Sequence, residues 1–216
     1  MKRFLRQPIE YIRAKMWDAM QRPDTDLLYD KYGIYGVSAY LQQCWNPYLT
    51  KEILIKYGAN IHPDCWPIGP GITIHEAKED YSNLHIAAFA HIGRQVFLDL
   101  TERLQIGESC CVAMRAVLLT HLNVGDGYPN KPLNRLFPKM NKPTILQRGS
   151  QVGAGVIVGC GVVIGEDSTI NAGVLVDKDI PPRTAVANSR RKPNIRIPDR
   201  FFDVPLSEGL PKESKP

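Results

Sequence analysis

Aliphatic residues recur at every sixth position along the second half of the chain. Six successive units share this position: Leu146, Val152, Val158, Ile164, Ile170 and Val176. The next position is mostly small or turn-forming, and the fourth position after each aliphatic is small or β-branched. A period of six fits neither an α-helix nor a simple alternating strand. It predicts a triangular coil in which each hexad forms one short side and the aliphatic points inward. The small residue would let the chain bend at the corner with an unusual φ.

The same register reappears upstream in fragments. These begin at Ile68-Gly69, Ile86-Ala87, Ile92-Gly93, Ile106-Gly107 and Val112-Ala113. The register slips by two residues between Leu98 and Ile106, and the segments 75–83 and 122–144 do not fit it. We therefore predict stacked coils with parallel pairing over residues 58–192 and an inserted loop at about 122–144. A β-sandwich with coincidental spacing is the alternative, and six units in perfect register argue against it.

The first 57 residues have a helical pattern instead. Apolar residues at intervals of three and four predict a helix over residues 4–20, which Pro23-Asp24 interrupts. A second helix is predicted from Val37 to Trp45. Thr50 is predicted to cap a third, which runs to Tyr57 and stops at Gly58.

Composition narrows the class of protein. The net charge of +5 is modest, and Arg190-Arg191-Lys192 is the densest basic cluster. It could be part of a solvated surface or a patch for a phosphate-bearing ligand, and we expect no nucleic-acid partner.

We expect neither a transmembrane helix nor a secretion signal, and five irregularly spaced cysteines favour a reduced, cytoplasmic protein. The proline-rich residues 193–216 are predicted to be an irregular tail.

These patterns resemble the hexapeptide-repeat acyltransferases, specifically the maltose, galactoside and polysaccharide sugar O-acetyltransferases. The resemblance covers about residues 57–191. Its most telling pieces are Tyr57-Gly58-Ala59-Asn60-Ile61, His91-Ile92-Gly93-Arg94, Leu119-Thr120-His121, Val152-Gly153-Ala154-Gly155 and Lys178-Asp179-Ile180-Pro181-Pro182. It implies a left-handed parallel β-helix that forms homotrimers with active sites between neighbouring prisms. It also implies transfer of an acetyl group from acetyl-coenzyme A to a hydroxyl.

This chemistry requires a group that removes the hydroxyl proton, and a neutral imidazole suits the task. Of the five histidines, His121 follows a β-run and begins the long loop, where the resemblance places the general base. Structural roles are expected for His62, His75, His85 and His91. Asp99 and Asp126 are rival candidates to orient His121, and an ordinary loop role is open for both.

The resemblance also implies where the acyl donor lies, along the outside of the last coils. Backbone groups at Gly153, Ala154, Asn171 and Ala172 match the positions that bind the pantetheine arm. Lys178, Arg190 and Arg191 are the candidates for its phosphates. The chain departs from the family at Ala187-Asn188-Ser189, where a Gly-x-Pro is common, and at Asp177, where many relatives have Thr.

Several functions remain open at this point. A sugar hydroxyl in polysaccharide or lipid-linked glycan biosynthesis is the acceptor that the resemblance favours. Serine, an antibiotic hydroxyl and an amino-sugar amine are alternatives. The same fold hosts zinc carbonic anhydrases, which need three converging histidines, and non-catalytic scaffolds. The basic first helix could contact a membrane, but packing against the prism is the expected role.

Overall fold

The part of the chain that the structure describes folds into a triangular β-helix preceded by two α-helices. The computed structural model describes residues 24–123 and 139–187, together with the backbone of a strand at 195–196. Each turn of the chain, or coil, passes along face 1, face 2 and face 3 of the prism in that order. Strands of successive coils pair in parallel on each face.

The strands are numbered β1 to β18 in chain order. Face 1 contains β1 (Asn60–Ile61), β3 (Leu84–Ile86), β6 (Leu104–Ile106), β11 (Thr144–Leu146) and β14 (Val163–Ile164). Face 2 contains β4 (His91–Ile92), β7 (Cys111–Val112), β12 (Gln151–Val152), β15 (Thr169–Ile170) and β17 (Thr184–Val186). Face 3 contains β2 (Thr73–His75), β5 (Phe97–Asp99), β8 (Val117–Leu118), β13 (Ile157–Val158) and β16 (Leu175–Val176). A further strand, β18 (Ile195–Arg196), pairs antiparallel with β17, so the predicted irregular tail contains one short strand.

The predicted inward positions form the core of the prism. The hexad aliphatics Val152, Val158, Ile164, Ile170 and Val176 are all buried. So are the residues four positions after them, which are Val156, Val162, Ser168, Val174 and Ile180. The upstream fragments follow the same rule, since Ile68, Ile92, Ile106 and Val112 have no exposed surface. The period of six is therefore confirmed as the repeat of the coil.

The reason for the small residue after each aliphatic differs from the one expected. Gly153 does not adopt a positive φ; the positive φ occurs two residues later, at Gly155. A Cβ at Gly153 would lie 2.6 Å from the backbone nitrogen of Ala172 and 2.7 Å from the carbonyl oxygen of Ile170. Close approach of the next coil, rather than a special backbone conformation, excludes a side chain there.

Two helices precede the prism in the described residues. Helix α1 (Thr25–Leu41) begins after Asp24, whose carboxylate accepts hydrogen bonds from the Asp26 and Leu27 amides, and it is interrupted at Gly33. The predicted helix from Val37 to Trp45 is wrong at both ends, since the observed helix begins twelve residues earlier and ends at Leu41. The chain leaves the helix after Leu41 to bond the first coil, where the Gly71 amide donates to the Cys44 carbonyl. The helix predicted for residues 4–20 lies outside the described residues.

Helix α2 (Pro47–Lys56) begins earlier than predicted. Asn46 precedes a proline and is therefore extended, and its side chain accepts from the Tyr48 and Leu49 amides. The predicted cap, Thr50, lies inside the helix, where its hydroxyl donates to the Asn46 carbonyl. Gly58, with a φ of 98°, follows the helix end as expected. In the part of the chain that the structure describes, no helix is long and apolar enough to cross a membrane.

The three long insertions into the regular coil occur at one edge of the prism, between face 3 and face 1. We call it the insertion edge. Of the described residues, it contains 76–83, 100–103, 119–123 and 139–143. The two-residue slip in the sequence is thus the second of three insertions at this edge. The third begins as an antiparallel pair of β9 (His121–Leu122) with β10 (Met140–Asn141). It ends before Thr144, which belongs to the next coil and not to the predicted loop.

Candidate active site

Polar residues collect where the face 3 strands end at the insertion edge. His75 and Asp99 are the last residues of β2 and β5, and they pair in register. On the following coil, β8 ends at Leu118, and three residues later the chain reaches His121 at the root of the third insertion. The prism therefore brings together residues that are 24 and 22 positions apart in sequence (75 to 99 and 99 to 121).

The carboxylate of Asp99 contacts the imidazole of His121 directly. Oδ2 of Asp99 lies 2.7 Å from Nδ1 of His121 and also accepts from the amides of Thr120 and His121 at 2.7 and 2.9 Å. Oδ1 accepts from the amide and the hydroxyl of Thr101 at 3.0 and 2.7 Å. Asp99 is fully buried, so these five donors replace water around its charge.

This arrangement determines which atoms of Asp99 and His121 carry protons. Burial raises the pKa of Asp99. Hydrogen bonds from Thr101, Thr120 and His121 outweigh that effect, so the pKa lies below its ordinary value. An ionised Asp99 requires the proton of a neutral His121 to sit on Nδ1, which also lies 3.0 Å from the Thr101 hydroxyl oxygen. Nε2 then carries the lone pair, and the side chain of His121 is 20% exposed. The geometry suits a general base.

His75 also belongs to this cluster, although the sequence favoured a structural role for it. Its ring stacks on the ring of His121, with centroids 5.5 Å apart and planes 24° apart. Phe97 packs against the ring of His75, with centroids 5.4 Å apart. The signal in the sequence was the register itself. His75 follows Ile74 as Asp99 follows Leu98, and each precedes an insertion.

The other sequence candidates lie elsewhere. His85 is on face 1, where burial and the nearby Arg103 lower its pKa. His91 is exposed on face 2, and its Nδ1 lies 3.8 Å from the Cys111 sulfur. Asp126, the rival orienting carboxylate, lies outside the described residues. Within residues 24–123 and 139–187, no three His, Cys, Asp or Glu side chains are grouped so that they could hold a metal ion.

The positions expected to bind the acyl donor lie on another edge of the prism. Gly153, Ala154, Asn171 and Ala172 follow face 2 strands, at the edge between faces 2 and 3, which we call the glycine edge. Lys178 is exposed but follows β16, so it lies on the insertion edge with His121. Arg190 and Arg191 lie outside the described residues. In the described residues of one chain, the four glycine-edge candidates therefore lie on a different edge from His121.

The glycine edge offers few free backbone groups. The amides of Gly153 and Asn171 donate to the carbonyls of Ile170 and Val186 on the next coil, at 2.8 and 2.9 Å. The Ala154 carbonyl accepts from Gly173 at 2.9 Å, whereas its amide has no acceptor in the part of the chain that the structure describes. Ala154 is thus better placed than Gly153 to donate to a ligand.

Face 3 joins these two edges and is apolar on its outside. Its outward residues from the second coil onwards are Phe97, Val117, Ile157 and Leu175, and they pair in one ladder. Leu175 is 64% exposed and Ile157 is 40% exposed. The outward residues of β7, β12 and β15 on face 2 are Cys111, Gln151 and Thr169. A surface of this composition is typical of a contact between proteins.

Comparison with known proteins identifies relatives by sequence. No family model matches the chain. A Schizosaccharomyces pombe protein named as an acetyltransferase is 51% identical over 131 residues, which is 59% of this chain and 55% of that protein. The galactoside O-acetyltransferase of Escherichia coli is 29% identical over 142 residues, which is 64% of this chain and 62% of that enzyme. The chain thus spans between half and two thirds of the length of these relatives.

Solved structures share the fold. A hexapeptide-repeat-containing acetyltransferase from Vibrio cholerae has a TM-score of 0.58 at 17% identity, covering 76% of this chain and 86% of that one. A maltose O-acetyltransferase from Clostridium difficile has a TM-score of 0.50 at 23% identity, covering 68% and 74%. The predicted left-handed parallel β-helix is confirmed.

Proposed function

We propose that the chain is a member of the hexapeptide-repeat acyltransferase family, as its relatives and its fold support, and that it transfers an acetyl group from acetyl-coenzyme A to a hydroxyl. The observation that carries the proposal is the contact of Asp99 with His121 at the insertion edge. A buried, ionised carboxylate that holds one imidazole nitrogen and leaves the other to accept a proton is an arrangement suited to proton removal. We assign the activity to residues 58–192.

His121 is the general base of the proposed reaction. Its Nε2 takes the proton of the acceptor hydroxyl as the hydroxyl oxygen attacks the thioester carbonyl carbon. When the carbon–sulfur bond breaks, the same nitrogen returns the proton to the departing thiolate. The products are an acetyl ester and free coenzyme A. Asp99 keeps the imidazole in the required tautomer and stabilises its transient positive charge.

A homotrimer would complete the site. If face 3 of each prism turns towards a three-fold axis, its apolar ladder is covered. The insertion edge of one subunit then lies against the glycine edge of the next. His121 and Lys178 of one chain would meet Ala154, Asn171 and Ala172 of its neighbour. The apolar exterior of face 3 and the separation of the two candidate sets on its two edges both support this assembly.

The acyl donor would lie between the two edges. Its pantetheine arm would follow the glycine edge, where the free amide of Ala154 could donate to one of its carbonyls. Lys178 and the sequence-based candidates Arg190 and Arg191 would contact its phosphates. In this proposal, Gly153 acts by keeping the adjacent coils close rather than by binding.

The acceptor that we propose is a sugar hydroxyl in a polysaccharide or a lipid-linked glycan. The similarity to galactoside O-acetyltransferase supports a sugar, within the 62% of that enzyme that the chain spans. We propose a cytoplasmic enzyme, since all five cysteines are free thiols.

The direct test is release of the coenzyme A thiol from acetyl-coenzyme A with a panel of acceptors. The panel contains galactosides, maltose, an amino sugar, serine and a hydroxylated antibiotic. We expect thiol release to depend on a sugar with a free hydroxyl, and mass spectrometry to find one added acetyl group. Release with the amino sugar alone would reassign the enzyme to amide formation. No release with any acceptor would contradict the proposed function.

A further inference from the structure

We propose that His75 is a positioning residue that fixes the ring plane of His121, an inference that rests on the proposed role of His121 as the base. The two rings stack with centroids 5.5 Å apart and planes 24° apart. That separation is within the range in which aromatic rings attract each other.

The contacts at Nδ1 alone leave the imidazole of His121 some freedom to change its ring plane. Asp99 and Thr101 hold this single atom, at 2.7 and 3.0 Å. A ring that is bonded to Cβ and held at Nδ1 can still shift by small coupled rotations about its two side-chain bonds, and such shifts move Nε2, the atom that must meet the acceptor proton. A flat ring against its face opposes this motion. A base must be held to about half an ångström, so a second constraint has a functional consequence.

His75 is itself fixed to the regular part of the prism. It ends β2 and pairs in register with Asp99 of β5. Its carbonyl accepts from the Leu100 amide at 2.8 Å. Phe97 packs against its ring with centroids 5.4 Å apart. His121, in contrast, lies at the root of the longest insertion. The stacking contact that supports the His121 ring therefore comes from a residue of the regular coils and not from the insertion.

The contact is made by the ring and not by its nitrogens. Nε2 of His75 lies 3.8 Å from a carboxylate oxygen of Glu76, at the exposed side of the edge. The structure gives His75 and His121 a stacking contact and no mutual hydrogen bond in the described part of the chain. A phenyl group at position 75 should therefore replace the imidazole, whereas a methyl group should not.

The test compares His75→Ala and His75→Phe with His91→Ala as the matched control. His91→Ala removes an exposed imidazole from another face of the same prism. Activity is measured as thiol release from acetyl-coenzyme A with the best acceptor of the panel. We expect His75→Ala to lower kcat by about three- to tenfold, as loss of an aromatic pair predicts. KM for acetyl-coenzyme A should not change. The kcat of His75→Phe should stay within about twofold of the wild-type value, and the kcat of His91→Ala should equal the wild-type value.

A second measurement does not depend on the acceptor. In the full-length protein labelled with ¹⁵N-histidine, the ring signals of His121 are assigned by their loss in His121→Ala. In wild type and His75→Phe, we expect these signals to be sharp and to report an imidazole protonated at Nδ1. In His75→Ala, we expect them to be broadened.

Two results would overturn the inference. One is a His75→Ala variant whose kcat and His121 signals equal those of wild type. The other is a His75→Phe variant that loses as much activity as His75→Ala, which would assign the effect to a nitrogen of His75. Full activity in His121→Ala would instead refute the proposed base. The ring signals would then still report whether His75 orders His121.

Discussion

Oδ2 of Asp99 lies 2.7 Å from Nδ1 of His121, across a pair of coils whose strands end at the same edge of the prism. The carboxylate is fully buried and the imidazole is one fifth exposed. One group is therefore shielded from solvent and the other faces it. This division of roles has consequences for activity, stability and assembly that can each be measured.

Replacing the carboxylate should impair the reaction without weakening donor binding. Asp99→Asn keeps the shape of the side chain, but its amide can turn an N–H towards Nδ1 and favour the wrong tautomer of His121. We expect kcat to fall by about tenfold or more. KM for acetyl-coenzyme A should be unchanged, because Asp99 has no exposed surface. Asp179→Asn, a change at an exposed carboxylate on the same edge, is the control. Equal losses in the two variants would argue against a specific role for Asp99.

The ionisation of Asp99 should also appear in the stability of the fold. Its pKa is lowered in the folded protein, so its contribution is present above the unfolded value of about 3.9 and is lost as pH falls through the folded value. We expect the difference in unfolding free energy between wild type and Asp99→Asn not to decrease between pH 8 and 5. It should shrink below about pH 4. Urea unfolding at fixed protein concentration measures it. A difference that already declines between pH 8 and 6 would contradict the assignment.

The apolar exterior of face 3 predicts the effect of a charge there. Leu175→Glu should leave a single chain folded, because this side chain is 64% exposed. In a trimer it would place three carboxylates around the axis, so we expect light scattering to give a monomer mass and activity to be lost. Gln151→Glu, on the outside of face 2, is the matched control and should remain an active trimer. An active monomer would show that one chain contains the whole site.

The basic cluster near the C-terminus provides a test of donor binding. Changing Arg190 and Arg191 together to Ala should raise KM for acetyl-coenzyme A and leave kcat nearly unchanged. Charge-assisted phosphate contacts contribute about 1.5–3 kcal/mol each, so a rise of about tenfold or more is expected. Arg148→Ala, at an exposed arginine that pairs with Glu166, serves as the control. An unchanged KM in the double variant would move the phosphate site elsewhere.

The regular part of the fold could be predicted from the sequence because its period directly reflects burial. Val152, Val158 and Ile164 recur every six residues, since each side of the coil needs one inward side chain. The helix boundaries were harder to predict from the sequence. Thr50 and Asn46 are both good capping residues, and only the extended conformation imposed on Asn46 by Pro47 decides between them.

The site could be predicted only in part. His121 was found because it adjoins a long insertion, which is visible in the sequence. Its contacts with Asp99 and His75 depend on how many residues each coil uses before it returns to the same edge. Insertions of different length make that number vary. The sequence therefore did not decide whether Asp99 or Asp126 orients His121, and it favoured a structural role for His75.

Substitution of His121 tests the central claim most directly. We expect His121→Ala to lower kcat by about 10²–10⁴ with the best acceptor, because a positioned general base is lost. The trimer mass and KM for acetyl-coenzyme A should remain those of wild type, and His91→Ala should keep nearly full activity. A His121→Ala enzyme that retains more than about a tenth of wild-type kcat would contradict the account, and the base would have to be sought at another residue.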